Sequence, residues 1–381
     1  MMRLPIQARS SIRRLLHAAA LALVAGEMPA LPAAAAGCAS PAATAYVSTD
    51  AALRAVRLDT CAGRLSVIGD VAQVAKPRWT VAHPTLPVLY AALDGGHVAA
   101  FKIDRSSAAL APLNDADASG SGTTYLALDT ASQTLLTANF GAGSVSSIAV
   151  QSDGRLADRV STIAETGSGP HRRQTSAHAH AVSIDPSGRY ALVPDFGADR
   201  LFVYAFNRAD RTLTATGRAW QSPAGSGPRR AVFGTDGRFV YVLNELTADI
   251  AVLRWDVAAG ALNPVQTVPL SNADFTGTKS ASEFALSRDG RFAYVANRGE
   301  NTLQVYGVNR ETGELALIQR LPSGGDAPWA FDLHPNGHWL LVANYRSNRL
   351  NLFSVDAATG LLADTGQSVG APAPVSVLFT N

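Results

Sequence analysis

The chain is short of charge, of cysteine and of long apolar runs. Only 16% of its 381 residues are Asp, Glu, Lys or Arg, and aromatics make up 7%; that mixture excludes the highly charged, aromatic-poor composition of wholesale disorder. Lysine is almost missing, 3 residues against 29 Arg, a skew of genome composition from which no nucleic-acid surface follows. The formal charge of +2 is too small for electrostatic capture of DNA or anionic lipid. Nowhere do 18 uncharged apolar residues run together, which excludes a polytopic membrane protein. Two cysteines cannot staple a disulfide mini-scaffold. G-x-S-x-G, a Walker loop and G-x-G-x-x-G are also absent, so serine-nucleophile, NTPase and dinucleotide chemistry have no motif to rest on. What is present is a 47% hydrophobic chain, long enough for two or three ordinary domains or one large all-β domain.

The N-terminus stands apart. Arg3, Arg9, Arg13 and Arg14 precede an apolar stretch from Leu15 to Gly26, and the small-residue run Ala33 to Gly37 offers an A-x-A cleavage site. Residues 1–36 read as a signal peptide, residues 37–381 as one mature domain, and the location as periplasmic or secreted. The leader carries net charge +3, leaving −1 on the mature chain. In an oxidising compartment Cys38 and Cys61 are expected to form a disulfide. The competing reading is a lipid anchor at Cys38, because Ala35-Ala36-Gly37-Cys38 is similar to a lipobox.

Beyond the leader one pattern recurs: a short strand, a polar turn often ending in Gly-Arg, a second strand ending in a polar residue, then a third strand. Clear copies run from Ile184 to Asp195, Gly234 to Asn244, Ser287 to Asn297 and His334 to Asn344. Equivalent positions Tyr46, Tyr90, Leu136, Leu192, Tyr241, Tyr294 and Leu341 are spaced by 44, 46, 56, 49, 53 and 47 residues. That period is the one of propeller blades, and seven anchors imply seven blades. The Tyr46 copy lacks a preceding strand, whereas Pro372 to Phe379 looks like a first strand with nothing after it. The C-terminal strand is therefore expected to complete the N-terminal blade, which removes two open sheet edges.

In such a blade the innermost strand starts on the face where the second strand ends, so those two sets of residues share a rim. The starts contribute Arg78, His178, His180, Arg229, Arg230, Glu283 and Trp329. The ends contribute Asn139, Asp195, Asn244, Glu245, Asn297, Arg298, Asn344 and Tyr345. Asn139, Asn297 and Asn344 recur blade after blade and read as turn caps. Glu245 and Arg298 follow such caps by one residue, where turn chemistry does not call for charge. Arg189, Arg238 and Arg291 fall in turns of the opposite face and read as solvated surface. His178-x-His180 has a spacing compatible with a metal, but no further ligand stands at a familiar distance in sequence, so no metal and no cofactor is assigned.

These residues also carry a resemblance. Ser168 to His180 leading into Asp185-Pro-Ser-Gly, then Gly227-Pro-Arg229, Asn244-Glu-Leu246, Ser282-Glu283, Asn297-Arg-Gly299 and Pro372-Ala-Pro-Val375 resemble the lactonase family of seven-bladed β-propellers. That family includes cycloisomerase-type 6-phosphogluconolactonases and fungal carboxymuconate lactonizing enzymes. The resemblance implies a metal-independent lactone hydrolase, or the reverse lactonizing reaction, with a small-molecule lactone of a sugar acid as substrate. It places His180, Arg229, Glu245 and Arg298 in the catalytic set: His180 as general base oriented by Glu245, and the two arginines on the developing oxyanion. His178, Arg173, Glu283, Asp195 and Tyr345 are expected around the substrate. Arg230, Trp329 and Tyr345 stand where relatives carry His, Arg and Gln. The reading from another class is a non-catalytic periplasmic propeller that binds a protein or small ligand through the same rim.

Overall fold

The computed structural model describes residues 42–380. The signal peptide, the lipid anchor and the Cys38 half of the expected bridge lie outside the described residues; Cys61 is disulfide-bonded.

Every regular element among the described residues is a β-strand, and the strands form seven four-stranded antiparallel sheets, numbered here as blade 1 (residues 42–73 with 376–380), blade 2 (77–117), blade 3 (123–164), blade 4 (183–221), blade 5 (228–269), blade 6 (281–322) and blade 7 (328–370). The seven sequence anchors all fall in the second strand of a blade, from Tyr46 in Ala42–Ser48 to Leu341 in Trp339–Asn344, and each is at most 2% exposed. Second strands are buried on both faces, as in Val88–Leu93 and Phe239–Asn244, because each is sandwiched between neighbouring blades. They accordingly read as continuous apolar runs rather than as alternation. The outermost strands are mostly solvated, as in Arg64–Gln73.

Seven apolar clusters fill the structure, and each joins two adjacent blades. The cluster that closes the ring packs Leu341, Ala343, Leu350 and Leu352 of the last blade against Val47, Val56, Val377 and Phe379 of the first. Closure itself is made by the C-terminal strand Ser376–Thr380, which pairs antiparallel with Ala42–Ser48 from Ser376↔Ser48 to Thr380↔Thr44. This fold, a seven-bladed β-propeller closed by the chain's last strand in its first blade, is the one the repeat implied.

The innermost strands share one irregularity. In five of them the pairing skips the second residue: Pro77↔Leu93 is followed by Trp79↔Ala92, and Pro228↔Asn244 by Arg230↔Leu243, with the same step at Thr124, Ser282 and Trp329. Such a bulge leaves one residue out of the ladder and re-aims its side chain. It relaxes the alternation that would send Arg229 and Arg230 to opposite faces.

The turn arginines are exposed, as the sequence reading has them, and each also bonds a neighbouring blade. Arg189 donates to the Val257 carbonyl, Arg238 to that of Arg310 and Arg291 to that of Ala357, each in the next blade along. Each is a strut between blades whose other edge faces water.

Candidate functional site

The bulged residues and the second-strand ends converge on a cavity of about 430 Å³ lined by Arg78, Trp79, Asp94, Phe140, Arg173, His180, Arg229, Arg230, Glu245, Arg298 and Trp329, among others. Gly227 admits the turn into the strand that carries Arg229: it has φ +63, and a Cβ there would meet Phe196 and Leu246 at 2.9 Å. The segment before blade 4 carries Arg173, His178 and His180. It is pressed onto Gly197, where a Cβ would collide with the Ser176 carbonyl.

Glu245 is the hub. Its Oε1 accepts from Arg173 Nη1 at 2.7 Å and lies 2.9 Å from Arg298 Nη2, and its Oε2 accepts from Arg229 Nη1 at 2.9 Å. The carboxylate is 1% exposed, against 5% for Arg229, 12% for Arg298 and 44% for Arg173. Burial alone would raise the Glu245 carboxyl, but Arg298, Arg229 and Arg173 outweigh it and hold it below the usual range. Burial draws Arg229 down to about 10, opposed by Glu245, so it remains a cation at neutral pH. Three guanidiniums on one carboxylate leave two net positive charges on this wall.

His180 Nε2 lies 2.5 Å from Arg229 Nη1, which is a donor. The ring must therefore accept there and carry its proton on Nδ1. Burial first, then the Arg229 charge, depress the His180 pKa well below the ordinary histidine value, and the ring is neutral throughout the physiological range. The expected direct contact between Glu245 and His180 is replaced by Arg229, which stands between them and bonds both.

Arg298 is fixed by Ser280 Oγ at 3.0 and 2.8 Å and lies over Trp329, 4.3 Å from the ring centroid. Arg229 Nε donates to the carbonyl of the bulged Ser282 at 2.6 Å. Arg230 forms a two-pronged pair with Glu283 at 2.8 Å on each side, and its guanidinium lies 4.2 and 4.3 Å from the ring centroids of Trp79 and Tyr125, which themselves pack against each other at 4.6 Å. Three N–H donors of cavity residues have no partner although they are shielded from solvent: His180 Nδ1, Arg230 Nη1 and Arg298 Nη1.

Of the residues expected from sequence, His180, Arg229, Glu245, Arg298 and Arg173 meet on the cavity wall. Arg78, Arg230 and Trp329 of the expected rim line it as well, whereas His178, Asp195, Glu283 and Tyr345 do not. His178 stacks on Phe140 with ring centroids 4.5 Å apart and bonds the Phe140 carbonyl at 2.8 Å. Asp195 is fully buried and accepts from the His178 and Ala198 amides. Glu283 is consumed by Arg230, and Tyr345 backs Trp329 at 5.0 Å. Phe140 lies against both histidine rings, and His180 faces a guanidinium, a surrounding that repels a cation. No group of three His, Cys, Asp or Glu residues suited to a metal occurs among the described residues. The sequence reading missed Asp94, Phe140 and Trp79. Asp94 and Phe140 each directly follow a second strand, the same slot as Glu245 and Arg298, so the signal was in the repeat.

Comparison with known proteins agrees with this architecture. Residues 41–379 match the family model described as lactonase, 7-bladed beta-propeller. The chain is 35% identical over 281 residues to a 6-phosphogluconolactonase of Bacillus subtilis (strain 168), covering 73% of this chain and 80% of that one. Among solved structures it is similar to the periplasmic gluconolactonase of Pseudomonas aeruginosa, with TM-score 0.84 and 30% identity over 89% of this chain and 99% of that one. A protein from Lactobacillus plantarum is equally similar, with TM-score 0.84 and 31% identity over 89% and 100%.

Proposed function

The chain belongs to the lactonase family of seven-bladed β-propellers, and from that premise we propose that it hydrolyses the lactone of a sugar acid in the cavity centred on Glu245. The observation that carries the reading is the convergence of Arg173, Arg229 and Arg298 on one buried carboxylate at a cavity wall.

Ester opening places a negative charge on the former carbonyl oxygen. Arg229 and Arg298 stand ready to hold it, held in place beforehand by Ser282, Ser280 and Trp329. Preorganised donors of this kind are worth about 10²–10³ in rate each. Arg173, the most exposed of the three, suits a carboxylate or phosphate of the substrate. Glu245 and His180 are positioning residues in this scheme: Glu245 stops the guanidiniums repelling one another, and neutral His180 fixes Arg229 Nη1. Fixed guanidiniums supply the electrophilic assistance a metal would otherwise give, so the reaction is metal-independent.

The signal peptide reading puts the protein in the periplasm, the compartment named for its Pseudomonas neighbour. That location favours an unphosphorylated lactone over a phosphorylated one, which is an intracellular metabolite. Purified mature protein incubated at pH 6 with aldono- and uronolactones, phosphorylated and not, tests the proposal by acid release. Opening of at least one well above the buffer rate is expected. Uniform failure, with and without added divalent cations, overturns it.

A further inference from the structure

Arg229 and Arg298 supply an oxyanion site, but the attacking water still needs a base. His180 cannot serve as placed, since the Nε2 lone pair that would take the proton already accepts from Arg229. Glu245 is 1% exposed and ringed by three guanidiniums. One other carboxylate lines the cavity, Asp94.

We propose that Asp94 is the general base that deprotonates the hydrolytic water. This inference rests on the lactonase reading of the cavity. Asp94 occupies in blade 2 the slot Glu245 occupies in blade 5, immediately after the second strand. Blade 2 is three blades away from both blade 5 and blade 6, which carry Arg229 and Arg298, so the carboxylate faces the oxyanion site across the ring. Unlike Glu245, it is 35% exposed and lightly held: Oδ1 accepts from Arg78 Nε at 3.1 Å, and Oδ2 is 3.8 Å from Lys76 Nζ, beyond hydrogen-bond reach. Oδ2 is therefore the oxygen left to take a proton. The backbone around it is fixed, because the Asp94 amide donates to the Lys76 carbonyl and the Asp94 carbonyl accepts from Gly122. Arg78, the bulged residue of blade 2, holds Oδ1 and leaves the carboxylate on the cavity wall.

In the hydrolytic step water gives one proton to Asp94 Oδ2, and its oxygen forms a bond to the lactone carbonyl carbon, while the carbonyl π pair moves to oxygen between Arg229 and Arg298. Collapse of that oxyanion breaks the ring C–O bond. The departing alkoxide takes the proton back from Asp94, which is regenerated, and the product acid releases a proton to solvent.

Asp94→Asn keeps the acceptor for Arg78 and removes the base; kcat is expected to fall about 10²–10⁴-fold, with KM within about threefold of wild type. Asp94→Ala is expected to regain at least about tenfold in kcat on addition of formate, a small base able to enter the vacated space, whereas His180→Gln gains nothing from formate. Rescue also shows that the variant is folded. If wild type opens a lactone and Asp94→Asn does so within about fivefold of it, or Asp94→Ala is inactive and ignores formate, Asp94 is not the base and the lactonase reading stands. If wild type opens no lactone, the lactonase reading falls and takes this assignment with it.

Discussion

Replacing Glu245 by Gln changes almost nothing but charge: the side chain keeps its size and one oxygen acceptor. In the native cavity that oxygen pair holds Arg173, Arg229 and Arg298 at 2.7, 2.9 and 2.9 Å. At an effective dielectric of about 20, unit charges roughly 4 Å apart interact by about 4 kcal/mol, so three attractions are lost and the mutual repulsion of the guanidiniums is unmasked. Arg173 is 44% exposed and can turn to water, whereas Arg229 and Arg298, at 5% and 12%, cannot. The residual cost is that of leaving buried charge uncompensated, about 3–5 kcal/mol. With an unfolding entropy of about 2.1 cal/mol/K per residue, a domain of this length loses roughly 4–7 °C of Tm. The assay is thermal unfolding of wild type and variant across sulfate concentrations, and the variant should recover more Tm per added sulfate because an anion now replaces the carboxylate. Since Glu245 is held below the ordinary carboxyl range, its contribution is present above the unfolded value and lost as pH falls through the folded one. The Tm gap between the two proteins should therefore narrow in acid. A variant as stable as wild type at pH 7, or one indifferent to sulfate, would refute the view that the carboxylate holds this cluster together.

Burial raises Asp332 to about 7, against the amides of Phe379 and Leu333; its stabilising contribution is full below the unfolded carboxyl value and disappears as pH rises through 7, and Asp332→Asn should flatten that slope in a pH series of Tm values. Removing Pro372 to Asn381 withdraws the innermost strand of blade 1 and, with it, Val377 and Phe379 of the closing cluster, so the truncated protein should melt far lower or not fold, as circular dichroism would show. Arg298→Lys keeps the charge but loses the planar fork that spans Ser280 and Glu245, and steady-state assay should give kcat reduced about 10–100-fold with a small change in Tm. Arg291→Ala cuts two bonds to the next blade at a half-exposed site and should cost about 1 kcal/mol in denaturant unfolding without touching turnover.

The ring was legible because its signal is repeated: Tyr90, Tyr241 and Tyr294 mark the same buried position in different blades, and the unmatched C-terminal strand had one place to go. The site was legible where a charge broke the repeat, as at Glu245 and Arg298. It was not legible where local chemistry gave a sufficient alternative account. Asp94 precedes Gly95-Gly96 and reads as an ordinary turn residue. His178 and His180 share a strand-like spacing, yet the regular inner strand there is only Ser183–Ile184, and the segment before it takes its path from contact with Gly197. Nothing in an alternating pattern tells which ring will meet Arg229. The buried state of Arg229 was equally hidden, and it means that Arg229→Ala should cost stability as well as turnover, so loss of fold does not separate a catalytic from a structural role at that position.

The bulges bear on how such a protein changes over generations. At Arg78, Thr124, Arg229, Ser282 and Trp329 the side chain is displayed by a backbone step that the ladder has already absorbed, and four of the five reach the cavity. A substitution there alters what the cavity recognises while the second strands and the seven interblade clusters keep their sequence. The ring thus separates inheritance of shape from inheritance of chemistry, with one exchangeable position in each bulged blade. Descendants of one ancestral propeller can diverge in substrate by exchange at these positions, least freely at Arg229, whose buried partners tie it to stability as well.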